Sequence, residues 1–213
     1  MNYNILAYNL FLGEKEEQIK YINDNNFDII FLSEASSNVI DNFNNYTGDK
    51  IDSHCGYTYL GIHKKHNIDI LMIIKLIGCV VFHVKINNEE FILGSLHLFP
   101  YKENKNKRKE QINRIYEDLE DNNLLHLPII LGGDTNMGDN ENYIESYDFI
   151  DIDNNNYNYT YPNRKCKDSR ITFIPKNNFK YDKFFIKNCT ANDFNIIPNN
   201  CSDHLAISIN IKI

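Results

Sequence analysis

Short β-rich runs recur from one end of this chain to the other, and most stop abruptly at Gly, Asn or Asp. They predict strands over Asn4–Tyr8, Asp28–Leu32, Tyr57–Ile62, Asp69–Ile74, Cys79–Ile86, Glu90–His97, Pro128–Leu131, Phe149–Ile152, Tyr181–Ile186 and Leu205–Ile211. A strand leaves backbone groups unpaired along its edges and an apolar face uncovered, so such a chain must build sheets and then pack them. The Asn-Asn pair in "VKINNEEFIL" lies between two runs and predicts a hairpin. Helical spacing is confined to two stretches. "GEKEEQIKYINDNN" puts Ile19 and Ile22 on one side with acidic residues in its first turn, and "NKNKRKEQINRIYEDLEDNN" aligns Ile112, Ile115, Tyr116 and Leu119. The expectation is an α/β chain with a two-layer β core and helices outside. No internal repeat or linker is visible, and one domain over residues 1–213 is expected.

Composition narrows the function classes. The chain is 42% hydrophobic and 24% charged, a globular balance that lacks the low hydrophobicity of disorder. Its formal net charge of −7 argues against attachment to nucleic acid by overall charge. The charge is uneven, however: "YKENKNKRK" (Tyr101–Lys109) and the region Arg164–Lys187 are basic, and a nucleic-acid enzyme needs only a local positive wall. Cys55, Cys79, Cys166, Cys189 and Cys201 form no Cys-x-x-Cys pair, which points to reduced thiols and away from a disulfide or zinc framework. The chain runs straight into "NYNILAYNLF" with no basic n-region or long apolar run, so no signal peptide is expected, and no run approaches the roughly 20 apolar residues of a membrane span. An intracellular protein of the nucleus or cytoplasm, neither secreted nor membrane-bound, is expected.

The ends of the predicted strands carry the chemistry. Asn9 follows "ILAY", Glu34 follows "DIIFLS", His97 ends "LGSLH", and "PIILGGDTNM" delivers Asp134 and Asn136. "CSDHLAISI" brings Asp203 and His204, and Asp182 sits in the aromatic run "KYDKFFI". Each has a bland explanation taken singly. Asn9 fits a surface amide, Glu34 the first-turn acid of a helix, "GGDTN" an ordinary turn, and His97 a satisfied core histidine. Their joint occurrence after apolar runs is what those explanations leave out.

In order, "YNL", "LSE", "SLH", "GGDTN", "KYDKFF" and "SDH" resemble the endonuclease/exonuclease/phosphatase superfamily. The resemblance spans nearly the whole chain. It implies a four-layer α/β sandwich, two packed mixed β-sheets flanked by helices, with the active site where the sheets meet. Within the superfamily, "GGDTN", the "YTY" at Tyr159–Tyr161, "FKYDKFF" and "SDH" are most similar to the tyrosyl-DNA phosphodiesterase 2 branch, as is the basic helix after His97. The chain departs from that branch at Ser33, where the relatives have Gln, and at Pro100, Gly138, Tyr161 and Leu205. The last four alter the substrate wall.

The resemblance implies a Mg²⁺-dependent phosphodiesterase, with Mn²⁺ able to substitute. It would hydrolyse the 5′-phosphotyrosyl bond of protein–DNA or protein–RNA adducts in DNA repair, as a monomer. A phosphodiester repels nucleophiles, and a hard divalent ion on oxygen ligands offsets that charge. Glu34 is the first ligand expected and Asp203 the second, with Asn9 nearby. Asp134 would activate the attacking water, and Asn136 would donate to that water or to a phosphate oxygen. His204 would donate to the phosphoryl oxygen with Asp182 holding the ring, and His97 and Asn9 would add contacts to substrate. Lys102 and Lys180 would meet backbone phosphates, and Tyr161 would stack a base for roughly 1–3 kcal/mol. Abasic-site endonucleases, deadenylases and small-phosphate phosphatases share these catalytic residues, and a catalytically silent binding module is a further alternative. The motifs leave these open.

Overall fold

Strand β1 (Asn2–Asn9) is buried on both faces over most of its length, which places it inside a stack of layers. The computed structural model describes residues 2–12, 16–138, 141, 143–152, 160–161, 179–198 and 202–212. Gly13–Lys15 of the first expected helix, Tyr159 of "YTY", Cys166, Cys201 and most of the basic stretch that begins at Arg164 lie outside the described residues. After β1 come α1 (Glu16–Asn25), β2 (Ile29–Ala35), α2 (Ser37–Ile40), β3 (Tyr46–Asp52) and β4 (Tyr57–His63). Then follow β5 (Ile68–Leu76), β6 (Cys79–Ile86), β7 (Glu89–His97), α3 (Lys105–Asp121) and β8 (Ile129–Asp134). Strands β9 (Ile150–Asp151), β10 (Asp182–Lys187), β11 (Thr190–Ile197) and β12 (Ala206–Lys212) complete the order.

The strands form two six-stranded sheets, ordered β11-β12-β1-β2-β4-β3 and β5-β6-β7-β8-β10-β9. Each has one parallel pair at its centre, β1 with β2 and β7 with β8, and antiparallel neighbours on both sides. The parallel pairs require crossovers, supplied by α1 and α3. The two sheets thus share one connectivity although the sequence shows no repeat.

Strand alternation explains the layers. Ile5, Ala7, Ile29 and Phe31 point between the sheets and meet Phe82, Val84, Leu93, Ile130 and Phe184 of the other sheet. Their neighbours Leu6, Tyr8, Ile30 and Leu32 point outward and are covered by Ile22 of α1. On the far side Ile112, Ile115 and Leu119 of α3 cover Val81, Ile92 and Leu131. Each such fully buried side chain contributes about 1.5–3 kcal/mol. Helix, sheet, sheet and helix make the four-layer sandwich.

The hairpin at Asn87 and Asn88 has both residues at positive φ, 51° and 74°, the left-handed pair a two-residue turn needs. Strands β3 and β11 were not expected. β3 is an edge strand with three charged residues and Gly48, whose Cβ would strike the Leu60 carbonyl and the Tyr59 ring, so it lacks an apolar alternation. β11 is an edge strand too, interrupted by an irregularity between Asn192 and Asn195. The Phe149–Ile152 run forms a strand only at Ile150–Asp151. Among the described residues no helix is long and apolar enough to cross a membrane.

Candidate active site

The carboxyl ends of both parallel pairs open on the same edge of the sandwich. β1 ends at Asn9 beside Ser33 of β2, and β7 ends at His97 beside Asp134 of β8. β10 runs the other way and begins at Asp182, directly opposite Asp134. The Ser33 hydroxyl donates to the Leu96 carbonyl at 3.0 Å and ties one sheet to the other below the site. The double glycine before Asp134 is a packing requirement. Gly133 has φ 135° and a Cβ there would meet the Leu96 carbonyl at 2.2 Å, while one on Gly132 would strike Phe184 at 2.5 Å.

Asn9 is the keystone. Its Nδ2 donates to Glu34 Oε1 at 3.2 Å and to Asp134 Oδ2 at 2.9 Å, joining carboxylates from the two sheets. Its Oδ1 accepts from the Phe11 amide at 2.9 Å, which fixes the orientation of the side chain. Asn9 is fully buried with these groups engaged, and it positions the two carboxylates. Its carbonyl accepts from the Ser202 hydroxyl at 2.7 Å, and that hydroxyl accepts from the His204 amide at 3.1 Å.

Glu34 lies where the β2–β4 register shifts, at φ 51°. The irregularity turns its carboxylate toward the open side, a common use of a bulge beside a site. Burial pushes the Glu34 carboxyl up to about 7, aided by Asp134 and Asp203 and opposed by His204 and Asn9. Glu34, His97 and Asp134 each offer a ligand atom within 4.8 Å of the others. A buried carboxyl crowded by like charges fits a divalent cation, and its oxygens suit a hard one.

The two histidines differ. His204 Nδ1 lies 2.7 Å from Asp182 Oδ2, with Nε2 3.7 Å from Asp134 Oδ2. Burial opposes its charge, but Asp182 and Asp134 outweigh burial and hold its pKa well above the ordinary value. His97 Nδ1 lies 2.9 Å from the Ser53 hydroxyl, which itself donates to the Cys55 carbonyl at 2.9 Å. Nδ1 therefore carries the proton and Nε2 is an acceptor, 3.7 Å from Glu34 and 3.8 Å from Asp134. Burial pushes His97 down to about 4 against the pull of Asp134, which favours the neutral ring, and His97 lines the groove.

Asn136 also has positive φ, 50°; its amide N–H donates to Asp134 Oδ1 at 3.0 Å and its Nδ2 to the Leu98 carbonyl at 3.1 Å. The second Nδ2 hydrogen remains to serve the groove, which Asn136 lines. Asp203 lines the groove with Oδ1 3.3 Å from the Ser202 hydroxyl oxygen, but belongs to neither close ligand group among the described residues. Lys102 is exposed on the groove's rim, and the Tyr161 ring lies 4.7 Å from that of His204. Lys180 is not on the groove. Phe179 and Tyr181 line it with rings stacked at 5.0 Å.

The groove encloses about 900 Å³. Its lining includes His54, Cys55, Phe99, Tyr101, Lys107, Phe179 and Tyr181, none singled out by the sequence. His54 and Cys55 follow the unexpected strand β3, so their loop had no visible frame. Phe179 and Tyr181 lie inside the quoted "FKYDKFF" run just before Asp182, and their two-residue spacing there could have found them.

No family model and no curated protein matches this sequence. Solved structures match over the whole chain. D. rerio TDP2 complexed with single strand DNA product has a TM-score of 0.78 at 15% identity, covering 100% of this chain and 99% of that one. An endonuclease/exonuclease/phosphatase from Bacteroides vulgatus has a TM-score of 0.79 at 14% identity, covering 100% and 99%. The mannosyl-6-phosphatase of Bacteroides thetaiotaomicron has a TM-score of 0.71 at 14% identity, covering 99% and 100%. Two packed mixed sheets with a polar cluster at their shared edge, matched along their full length by these structures, give the chain the fold of the endonuclease/exonuclease/phosphatase superfamily.

Proposed function

We propose that this protein is a divalent-metal-dependent phosphodiesterase that hydrolyses the 5′-phosphotyrosyl bond of a protein–nucleic acid adduct. The products would be a 5′-phosphate and free tyrosine, an end-processing step in DNA repair. One observation carries the reading: the Asn9 amide holds Glu34 and Asp134 one side chain apart, with His204 facing Asp134 from the other side. Glu34, with Asp203 on the same groove, would hold Mg²⁺ or Mn²⁺. When bound, the ion offsets phosphoryl charge and polarises a phosphoryl oxygen.

The remaining roles belong to the chain. Asp134, oriented by Asn9 and the Asn136 amide, takes the proton of the attacking water. His204 donates from Nε2 as charge builds on the phosphoryl oxygen, and Asp182 keeps that ring protonated and aimed. Asn136 adds an amide donor. A phenolate with a pKa near ~10 leaves without full protonation. A groove of aromatic rings and lysines suits a polyanion with stackable bases better than a lone sugar phosphate.

The test is hydrolysis of matched oligonucleotides in Mg²⁺: one 5′-tyrosylated, one with a 3′ adduct, one with an abasic site, and a small sugar phosphate alongside. The expected result is release of tyrosine from the 5′ adduct alone, abolished by EDTA and restored by Mg²⁺ or Mn²⁺. Turnover of another substrate with the 5′ adduct untouched replaces this reading with a different hydrolase. Binding without any turnover replaces it with a silent module.

A further inference from the structure

Tyr101 stands at the rim of the groove with 71% of its surface exposed. Its backbone has φ 69° and ψ 145°, a region that a Cβ makes costly and that glycine occupies freely. An exposed ring offers little packing to offset that cost, so something beneath must hold it. Arg108 does. This α3 residue is 1% exposed, and its Nη1 donates to the Phe99 carbonyl at 2.8 Å and the Tyr101 carbonyl at 2.7 Å. Its Nε and Nη2 donate to the two Glu141 carboxylate oxygens at 3.0 and 2.6 Å, and Glu141 Oε1 accepts from the Gly138 amide at 3.2 Å. One buried guanidinium thus clamps the 99–101 segment to the loop that follows Asn136.

The neighbours of the ring indicate what it meets. Lys102 and Lys107 line the same rim, giving positive charge beside an aromatic face. Phe99 is already covered, by His54 at 4.0 Å between ring centroids and by Lys107 at 5.0 Å. Tyr101 has no ring partner among the described residues. A strained, exposed aromatic on a rim that carries lysines has the chemistry of a stacking platform on a polyanion. We propose that Tyr101 is a preorganised stacking ring for a nucleobase of the substrate strand, and that Arg108 is its positioning residue. The inference rests on the nucleic-acid reading above and adds a specificity-determining contact to it.

The experiment measures binding of a fluorescent 5′-phosphorylated single strand by anisotropy, against the same strand with its bases replaced by abasic units. Tyr101→Gly should weaken binding of the base-bearing strand by roughly 5- to 100-fold and leave the abasic strand's affinity as it was. Its Tm should be no lower than that of the unsubstituted protein, because glycine relieves the backbone at that φ. Tyr101→Phe keeps the ring and should restore the preference. Arg108→Lys should lose the base preference, and adding Tyr101→Gly should cost little more. Equal binding of both strands by Tyr101→Gly and the unsubstituted protein, a fall in Tm, or a loss confined to a tyrosyl-peptide adduct overturns the proposal. Failure of the unsubstituted protein to bind either strand removes the nucleic-acid reading as well, whereas base-dependent binding indifferent to Tyr101 removes this inference alone.

Discussion

His97 and His204 are buried to similar depth and approach the same Asp134 oxygen at 3.8 and 3.7 Å, yet their surroundings push one pKa down to about 4 and the other well above the ordinary value. Burial works against charge on both. The difference lies behind the rings. His204 backs onto the Asp182 carboxylate, and His97 onto the Ser53 hydroxyl. A full charge at 2.7 Å overcomes desolvation where a hydroxyl dipole does not. The site therefore presents a donor on one wall and an acceptor on the other, and the groups that set this asymmetry point away from the groove.

The strongest way to break the comparison is to remove the charged member. His204→Ala should lower kcat and kcat/KM by similar factors of roughly 10²–10⁴ on the 5′-tyrosylated oligonucleotide, as expected for stabilisation confined to the transition state. Asp182→Asn should convert His204 into a second His97. Its pKa should fall, followed by the imidazole NMR signals, and activity should fall less than in His204→Ala. Combining the two should cost little beyond His204→Ala alone, and fully additive losses would show that Asp182 does not act through His204.

A smaller effect is expected on the neutral wall. Ser53→Ala removes the acceptor for His97 Nδ1–H and frees the tautomer, and rates should drop by less than about tenfold, within the range for a single neutral hydrogen bond. A loss as large as that of His204→Ala would mean that the two walls are not distinct in kind.

The smallest effect lies far from the groove, where Asp28 binds Lys65 at 2.7 Å, His66 at 2.8 Å and the Asn4 amide at 2.7 Å. Burial raises its pKa, but these partners win and hold the carboxyl below its ordinary value. The stabilisation is therefore present above the unfolded-state pKa and is lost as pH falls through the lower folded-state value. Solvent screening keeps it to roughly 0.5–1 kcal/mol. Urea titrations of Asp28→Asn should show that deficit at pH 6 and its disappearance as acidification passes through the folded-state pKa.

Much of this arrangement was legible in the sequence because strands that are buried on both faces read as apolar runs and end in conspicuous polar residues. "GGDTN" was readable for a physical reason, since Gly132 and Gly133 are dictated by Phe184 and the Leu96 carbonyl. Ser53, His54 and Cys55 were invisible because edge strand β3 hides behind charge and a glycine. Asn9 was seen, but its bridging role was not: sequence shows that an amide ends a strand, not that three groups of the protein engage it. Arg108 stood in a basic run that reads as a solvated face, and only packing shows it to be buried. Lys180 lies ahead of β10, next to Phe179, whose pairing with Tyr161 in an isolated bridge the sequence does not show.

The Asn9 amide reaches Asp134 across 125 positions of chain, and the Asn9 carbonyl reaches Ser202 across 193. Contacts of that span are the slow ones in folding, because loop closure must precede any reward. Neither sheet holds both Glu34 and Asp134, so a half-folded chain with every strand paired would still have no site. Activity regained on dilution from denaturant is thus a clock for the docking of the two sheets, and it should lag behind the return of the far-ultraviolet strand signal.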